Sequence, residues 1–280
     1  MEIHRGKLYI CATPIGNLED ITIRVLNTLK TVDLIAAEDT RHTIKLLNHY
    51  EISKPLTSYH EHNKIKKGPQ LIEKLKEGHK IALVSDAGMP GISDPGEDLI
   101  RLCIENEIKV EVLPGANAVL TALVASGLSS AKFAFEGFLD RNKKKRRERL
   151  EILSTDDRTL IFYESPHRLM DTLKDMEQIL ENRNMAIARE LTKKYEEIIR
   201  GNISHVIKHF KENAPKGEFV LLVEGGSIEG RKDRSFENLS IEDHIVSYMD
   251  KGLAKKEAIK QVAKERNIPK REVYKHGIEI

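Results

Sequence analysis

The 280-residue chain has few cysteines, no long apolar run and no charge excess of one sign. Its two cysteines, Cys11 and Cys103, each sit inside an apolar stretch. They read as buried hydrophobes of a reducing compartment, and two isolated cysteines offer no zinc spacing. No stretch approaches the ~20 apolar residues of a membrane span. Met1 to Lys7 is polar, so no signal peptide is expected and the chain is expected to be cytoplasmic. The net charge is +2, which removes any global electrostatic argument for nucleic acid; a basic footprint must be local. No Gly-x-Gly-x-x-Gly follows the first strand, and no Gly-x-x-x-x-Gly-Lys-[Ser/Thr] occurs. A Rossmann dinucleotide site and a P-loop nucleotidase are thereby disfavoured.

What is present is an α/β pattern. Hydrophobic residues make up 40%, enough for a proper core, and the length suits about two domains. Strands are predicted at 8–12, 34–37, 56–59, 81–85 and 110–113, with helices between them. The first helix is predicted to be capped by Asp20. This alternation implies a mainly parallel sheet covered on both faces. Phe133 to Phe138 is read as the end of this half. A second α/β half carries strands at 159–163, 185–190, 196–200 and 218–224. A linker is expected over 225–238. A small helical segment follows, with Ser240 and Asp243 at capping-box spacing and a helix-turn-helix rhythm. The predicted domains are 1–138, 139–227 and 228–280.

Three loops follow strand ends in the first half: Thr13-Pro14-Ile15-Gly16-Asn17, Asp86 to Gly91, and Pro114-Gly115-Ala116-Asn117. Ligands of open α/β sheets bind at that edge, although glycine and proline also simply make turns. Glu38-Asp39-Thr40-Arg41-His42 offers carboxylates beside cations for acid–base work, or a helix start favoured by its dipole. His60-Glu61-His62 would place two histidines on one strand face, without a third ligand. Ser165 near His167 lacks a nucleophile elbow and reads as a helix cap followed by Pro166. From Arg141 to Arg149, seven of nine residues are basic, and residues 251–276 hold nine Lys/Arg against three Glu. Both segments are candidate polyanion contacts, or solvated faces.

Read in order, several segments resemble one family. They are Leu8 to Thr22, Ala37-Glu38-Asp39-Thr40-Arg41-His42-Thr43, Ser85-Asp86-Ala87-Gly88, Ser93-Asp94-Pro95-Gly96, Phe162 to Arg168, and Ala188 to Lys194. Together they are similar to the ribosomal RNA small-subunit methyltransferase I family, whose fold is that of the tetrapyrrole methylases. Met89 and Gly91 depart from that family's pattern, which has Thr-Pro after the glycine.

The resemblance implies two α/β domains with S-adenosylmethionine in the cleft between them, a small helical appendage, and a homodimer. It implies methylation of a cytidine ribose 2′-hydroxyl in the decoding region of 16S rRNA, within the small ribosomal subunit, with no metal. Donor contacts are expected from Pro14, Ile15, Asp86, Ala87, Gly88, Gly115, Ala116, Asn117, Phe162 and Tyr163. Glu38, Asp39, Arg41, Glu164, Glu190 and Lys193 are the catalytic candidates. Lys143, Lys144, Lys145, Arg146, Arg147, Lys270 and Arg271 are the RNA-contact candidates. The rival readings are a methylase of a small tetrapyrrole and a non-catalytic ribosome-binding protein of the same fold.

Overall fold

The computed structural model describes residues 6–226, 239–266 and 268–277. Most of the expected linker therefore lies outside the described residues. Residues 1–225 form one compact unit and residues 226–280 another.

The first unit opens with β1 (Lys7–Cys11), α1 (Ile23–Thr31), β2 (Leu34–Ala37), α2 (Thr40–His49) and β3 (Leu56–Ser58). It continues with α3 (Lys64–Lys76), β4 (Lys80–Val84), α4 (Gly96–Glu105) and β5 (Lys109–Leu113). The five strands form one wholly parallel sheet in the order β3-β2-β4-β1-β5. The central strands are buried on both faces, as parallel strands covered by helices must be. Thr22, rather than Asp20, caps α1: its hydroxyl accepts from Val25 N at 3.2 Å. Asp20 instead ends a short 3₁₀ turn that Asn17 caps.

After β5 the chain runs through α5 (Ala118–Ser126), β6 (Phe133–Phe138), α6 (Lys143–Leu153), β7 (Thr159–Glu164) and α7 (Leu169–Ile179). It ends the unit with β8 (Asn184–Arg189), β9 (Glu197–Asn202), α8 (Ile203–Glu212) and β10 (Phe219–Val223). The second sheet has the order β6-β7-β10-β8-β9; only the β6–β7 pair is parallel. So β6 does not end the first half: it is an edge strand of the second sheet. Helix α5 also belongs there, because Val119, Ala122 and Leu123 pack with Ile161, Ala186, Ala188, Val220 and Leu222. The chain thus changes sheets at Pro114–Asn117, well before residue 138. The basic tract that marks the boundary in the sequence is α6, the crossover between β6 and β7.

The second unit is built from α9 (Ile241–Asp250), α10 (Lys255–Arg266) and α11 (Lys270–Gly277). Ser240 Oγ accepts from Asp243 N at 3.0 Å, the predicted cap. Ile245, Ala258, Ile259, Val262, Ala263 and Val273 make its core.

Candidate functional site

Two loops at the C-terminal edge of the first sheet are locked together. Thr13 N donates to Gly88 O at 2.9 Å, and Gly88 N donates to Thr13 O at 3.0 Å. Thr13 Oγ1 adds a bond to Ser85 O at 3.2 Å. Gly88 has φ +80, and a Cβ there would stand 3.3 Å from Ile15 Cγ2. A side chain at that position would be strained and would crowd the wall. Glu38, at the end of β2, takes a 3.4 Å bond from Asp86 N, while Asp86 Oδ1 accepts from Asp39 N at 3.1 Å.

The second sheet supplies the facing wall. Because β10 runs antiparallel to β7 and β8, its first residues lie beside their last. Tyr163, Ala188 and Val220 therefore share one edge. The turn after β8 is strained: Glu190 and Thr192 have φ of 50° and 64°. It is stapled by Glu190 Oε1, which accepts from Glu218 N at 3.0 Å and pairs with Lys193 Nζ at 3.1 Å. Lys193 also meets Glu218 at 2.9 Å. The first-sheet loop docks on this turn: Asn17 N donates to Thr192 Oγ1 at 3.0 Å. A Cβ on Gly16 would lie 2.5 Å from Lys193 Cγ and 2.9 Å from Leu191 O, so only glycine permits this approach.

Between the walls lies a cavity of about 430 Å³, within the usual range for a small-ligand site. Ile15, Ala118, Tyr163, Ala188, Leu191 and Val220 give it apolar surface; Glu38, Asp86 and Asp94 make one side acidic. A second cavity of about 460 Å³ adjoins it, lined by Pro14, Gly16, His42 and Lys45. Ile15, Ser85, Asp86, Ala87, Lys193 and Glu218 border both.

The structure brings together Ile15, Asp86, Ala87, Gly88, Asn117 and Tyr163 on the first cavity, with Pro14 on the second. Phe162 is not there. It is fully buried in the core under α7 and α8, because β7 alternates faces and only Tyr163 points to the cleft. Gly115 and Ala116 do not line the first cavity; Gly115 lies against Ala12, the Ala116 carbonyl lies close to Gly88, and Asn117 and Ala118 line it instead.

Among the catalytic candidates, Glu38 is half-buried on the cavity, and burial pushes its carboxyl above the ordinary glutamate value, reinforced by Asp86 and Asp94. Asp39 caps α2 by accepting from Arg41 N at 2.8 Å. The Arg41 guanidinium also grips it, and the carboxyl is held down at about 2. Both side chains thereby serve the helix start. Glu164 is buried and occupied: Ser165 N and Thr172 Oγ1 donate to it at 2.8 and 2.6 Å. Burial would lower the Lys193 pKa, but Glu218 and Glu190 outweigh it and the ammonium is held above its ordinary value. Burial opposes ionisation of Glu190, yet the Glu218 amide and Lys193 prevail and hold it low. Lys193 is therefore a fixed cation, not a base, and Glu190 is its counter-ion.

The basic tract divides. Lys143, Lys144 and Lys145 are exposed on the first turn of α6. Arg146 is buried and forks onto Asp175 Oδ2 with Nε at 2.9 Å and Nη2 at 2.7 Å. Arg147 is half-buried and bonds Asp175 Oδ1 at 3.0 Å and Gln178 at 2.5 Å. Arg146 is enclosed in this pair, and Arg147 is held through Nη1. The spacing Arg146, Leu150, Leu153 is the core face of α6, a signal the charge run conceals. In the second unit, Lys270 and Arg271 are exposed on the first turn of α11. His60 and His62 lie in a turn after β3, not in the strand, with ring centroids 6.0 Å apart. No cluster of metal-ligating side chains occurs among the described residues.

The chain matches the tetrapyrrole (corrin/porphyrin) methylases over residues 7–207. The ribosomal RNA small subunit methyltransferase I of Halalkalibacterium halodurans is 55% identical over 271 residues, 96% of this chain and 94% of that protein. The protein of the same name from Thermotoga maritima is 50% identical over 220 residues, 79% of this chain but 99% of its own length. A solved structure of Thermus thermophilus uroporphyrin-III C-methyltransferase with S-adenosyl homocysteine shares the fold. It has a TM-score of 0.55 at 15% identity, covering 78% of this chain and 97% of that one. The chain therefore belongs to the tetrapyrrole methylases and, within them, to the ribosomal RNA small subunit methyltransferase I family.

Proposed function

We propose that this chain transfers the methyl group of S-adenosylmethionine to the ribose 2′-hydroxyl of a cytidine in the decoding region of 16S rRNA, acting on the small ribosomal subunit as a cytoplasmic homodimer. The observation that carries the reading is the cavity between the two sheets, lined by apolar side chains and by carboxylates, in a chain 55% identical to a named small-subunit rRNA methyltransferase. The residues suit the donor. The apolar wall excludes water, the carboxylates favour a cationic ligand, and the Gly88 backbone leaves room for close approach. When bound, the donor supplies a methyl carbon on a sulfonium, which passes to the acceptor oxygen while the carbon–sulfur electron pair stays on sulfur.

The chain's own residues must orient the acceptor and take its proton. Glu38 is the candidate base, since its carboxyl faces the cavity and burial brings its pKa towards neutrality. Lys193, protonated and bordering both cavities, would stabilise the developing alkoxide or steer a phosphate. Holding these groups still is itself catalytic, because alignment supplies much of the rate of a displacement. The strained turn and the Gly16 contact provide that rigidity.

Exposed Lys143, Lys144 and Lys145, with Lys270 and Arg271 of the second unit, are the RNA contacts in this reading. The homodimer, in this reading, draws on α5, a helix apolar but for Thr121 and Ser126. It buries Val119, Ala122 and Leu123 but leaves Leu120 and Val124 51% and 81% exposed. The test is radiolabel transfer from S-adenosylmethionine to isolated small subunits and, in parallel, to a tetrapyrrole precursor. Label on a cytidine 2′-oxygen is expected. Label on the tetrapyrrole alone, or no binding of the donor, overturns the proposal.

A further inference from the structure

Strand β6 carries one residue more than its pairing with β7 needs. Phe135 pairs with Ile161 and Gly137 with Phe162, leaving Glu136 as a bulge. Side chains of a regular strand alternate, so residues three apart face opposite ways. The bulge cancels the odd step and puts Phe135 and Phe138 on the same face. There both rings meet Tyr163, with centroids 5.0 and 5.5 Å away. Gly137 adopts φ +65 to allow it, and bulges of this kind re-aim side chains beside sites.

The re-aimed ring is not buried. Phe138 is 56% exposed and Ile92 41%, and both line the cavity whose wall Tyr163 forms. An exposed phenyl ring set at a tilt of 53° against a second aromatic on a cavity wall gains nothing from water. It does offer a flat face to a planar ligand. Five residues further on, the first turn of α6 presents Lys143, Lys144 and Lys145 to solvent. A π-face followed five residues on by a row of exposed cations suits a splayed-out base with its flanking phosphates.

We infer that Phe138 is the stacking platform for the acceptor nucleotide's base, with the α6 lysines holding the neighbouring phosphates of a single-stranded RNA segment. This rests on the rRNA methylation proposed above. Phe138 and Glu38 line the same cavity, so a base stacked on Phe138 would bring its sugar to the cavity that Glu38 borders.

The test compares full-length wild type with Phe138→Ala, Phe138→Leu and Phe138→Tyr. It measures steady-state methylation of isolated small subunits, donor affinity by calorimetry, and sedimentation. Loss of one stacked base should lower kcat/KM for the subunit by about 5- to 150-fold in Phe138→Ala. Phe138→Leu, apolar but not planar, should stay impaired, and Phe138→Tyr should recover. Donor affinity should fall far less than kcat/KM, and sedimentation should not change. An unaltered kcat/KM in Phe138→Ala, or full activity in Phe138→Leu, overturns the platform alone. A parallel fall in donor affinity makes Phe138 part of the donor wall instead. A changed sedimentation coefficient makes it a contact between copies. A wild type that leaves subunit RNA unlabelled overturns both the platform and the function it rests on.

Discussion

The fate of Arg146 separates two roles that its sequence context confuses. It lies in a tract with the composition of an RNA grip, yet it is 5% exposed and forks onto an Asp175 that is 3% exposed. Arg146→Met keeps the aliphatic stem and removes the fork. Breaking one side of a buried pair costs ~3–5 kcal/mol, because the other charge is left in a poor solvent. Arg147 still reaches Asp175 Oδ1 at 3.0 Å, so the lower end applies. At roughly 2–4 °C per kcal/mol for a unit of this size, a loss of ~3 kcal/mol lowers Tm by about 6–12 °C. Scanning calorimetry on the full chain reads this directly. Arg146→Met/Asp175→Leu should recover much of the loss, since an apolar pair replaces a buried ionic one at little cost. RNA affinity measured across a salt series should keep its slope. A variant with unchanged Tm and a slope shallower by about one phosphate contact would show Arg146 on the RNA and refute the reasoning.

Glu38→Gln should cut kcat by about 10²–10⁴-fold with donor affinity by calorimetry retained. Because burial raises the Glu38 pKa above its ordinary 4.5, the carboxylate is lost on acidification earlier than an exposed glutamate would be. Wild-type kcat/KM should therefore fall as pH drops through that raised value, and the same limb should vanish from the residual rate of Glu38→Gln. Reversing Lys143, Lys144 and Lys145 to Glu should flatten the salt dependence of RNA binding by at least ~0.7 per contact removed, leaving Tm little changed, as a melting curve will show. Removing residues 226–280 should weaken subunit binding while residues 1–225 keep their own melting transition. Val124→Glu should shift sedimentation towards the monomer if α5 is the dimer face.

The regular elements of the first sheet were legible because β-branched runs alternate with turn residues. Its edge was not. Phe133–Phe138 follows α5 as any sixth strand would, and nothing local says that its partner is β7 rather than β5. The same limit explains Phe162. The middle of a strand buried on both faces is an unbroken apolar run, so Phe162 and Tyr163 look equivalent until the sheet shows which one faces the cleft. The glycine loops were readable as a site edge because they follow three strands. The protonation of Lys193 was not, since Glu218 lies 25 residues away and arrives only through β10. The β6 bulge left one trace, a glycine between two phenylalanines, whose meaning depends on a register no single strand carries.

The residues that carry the family resemblance mostly build the frame. Asp39 caps α2, Glu164 anchors Thr172, and Asp94 clamps Gly91 N and Gly96 N at 2.8 Å each. Arg189 ties down the Lys216 carbonyl at 2.7 Å. Glu38, Asp86, Asp94, Glu164 and Lys193 are the charged motif members that also line the first cavity. A frame of this kind can serve different acceptors, because it fixes the donor cavity and says little about what approaches it. Solved proteins of 15–20% identity share the fold, a uroporphyrin-III methyltransferase among them. Acceptor choice must then come from side chains outside the motifs at the cavity mouth. On the stacking proposal those are the bulged Phe138 and the lysines that follow it.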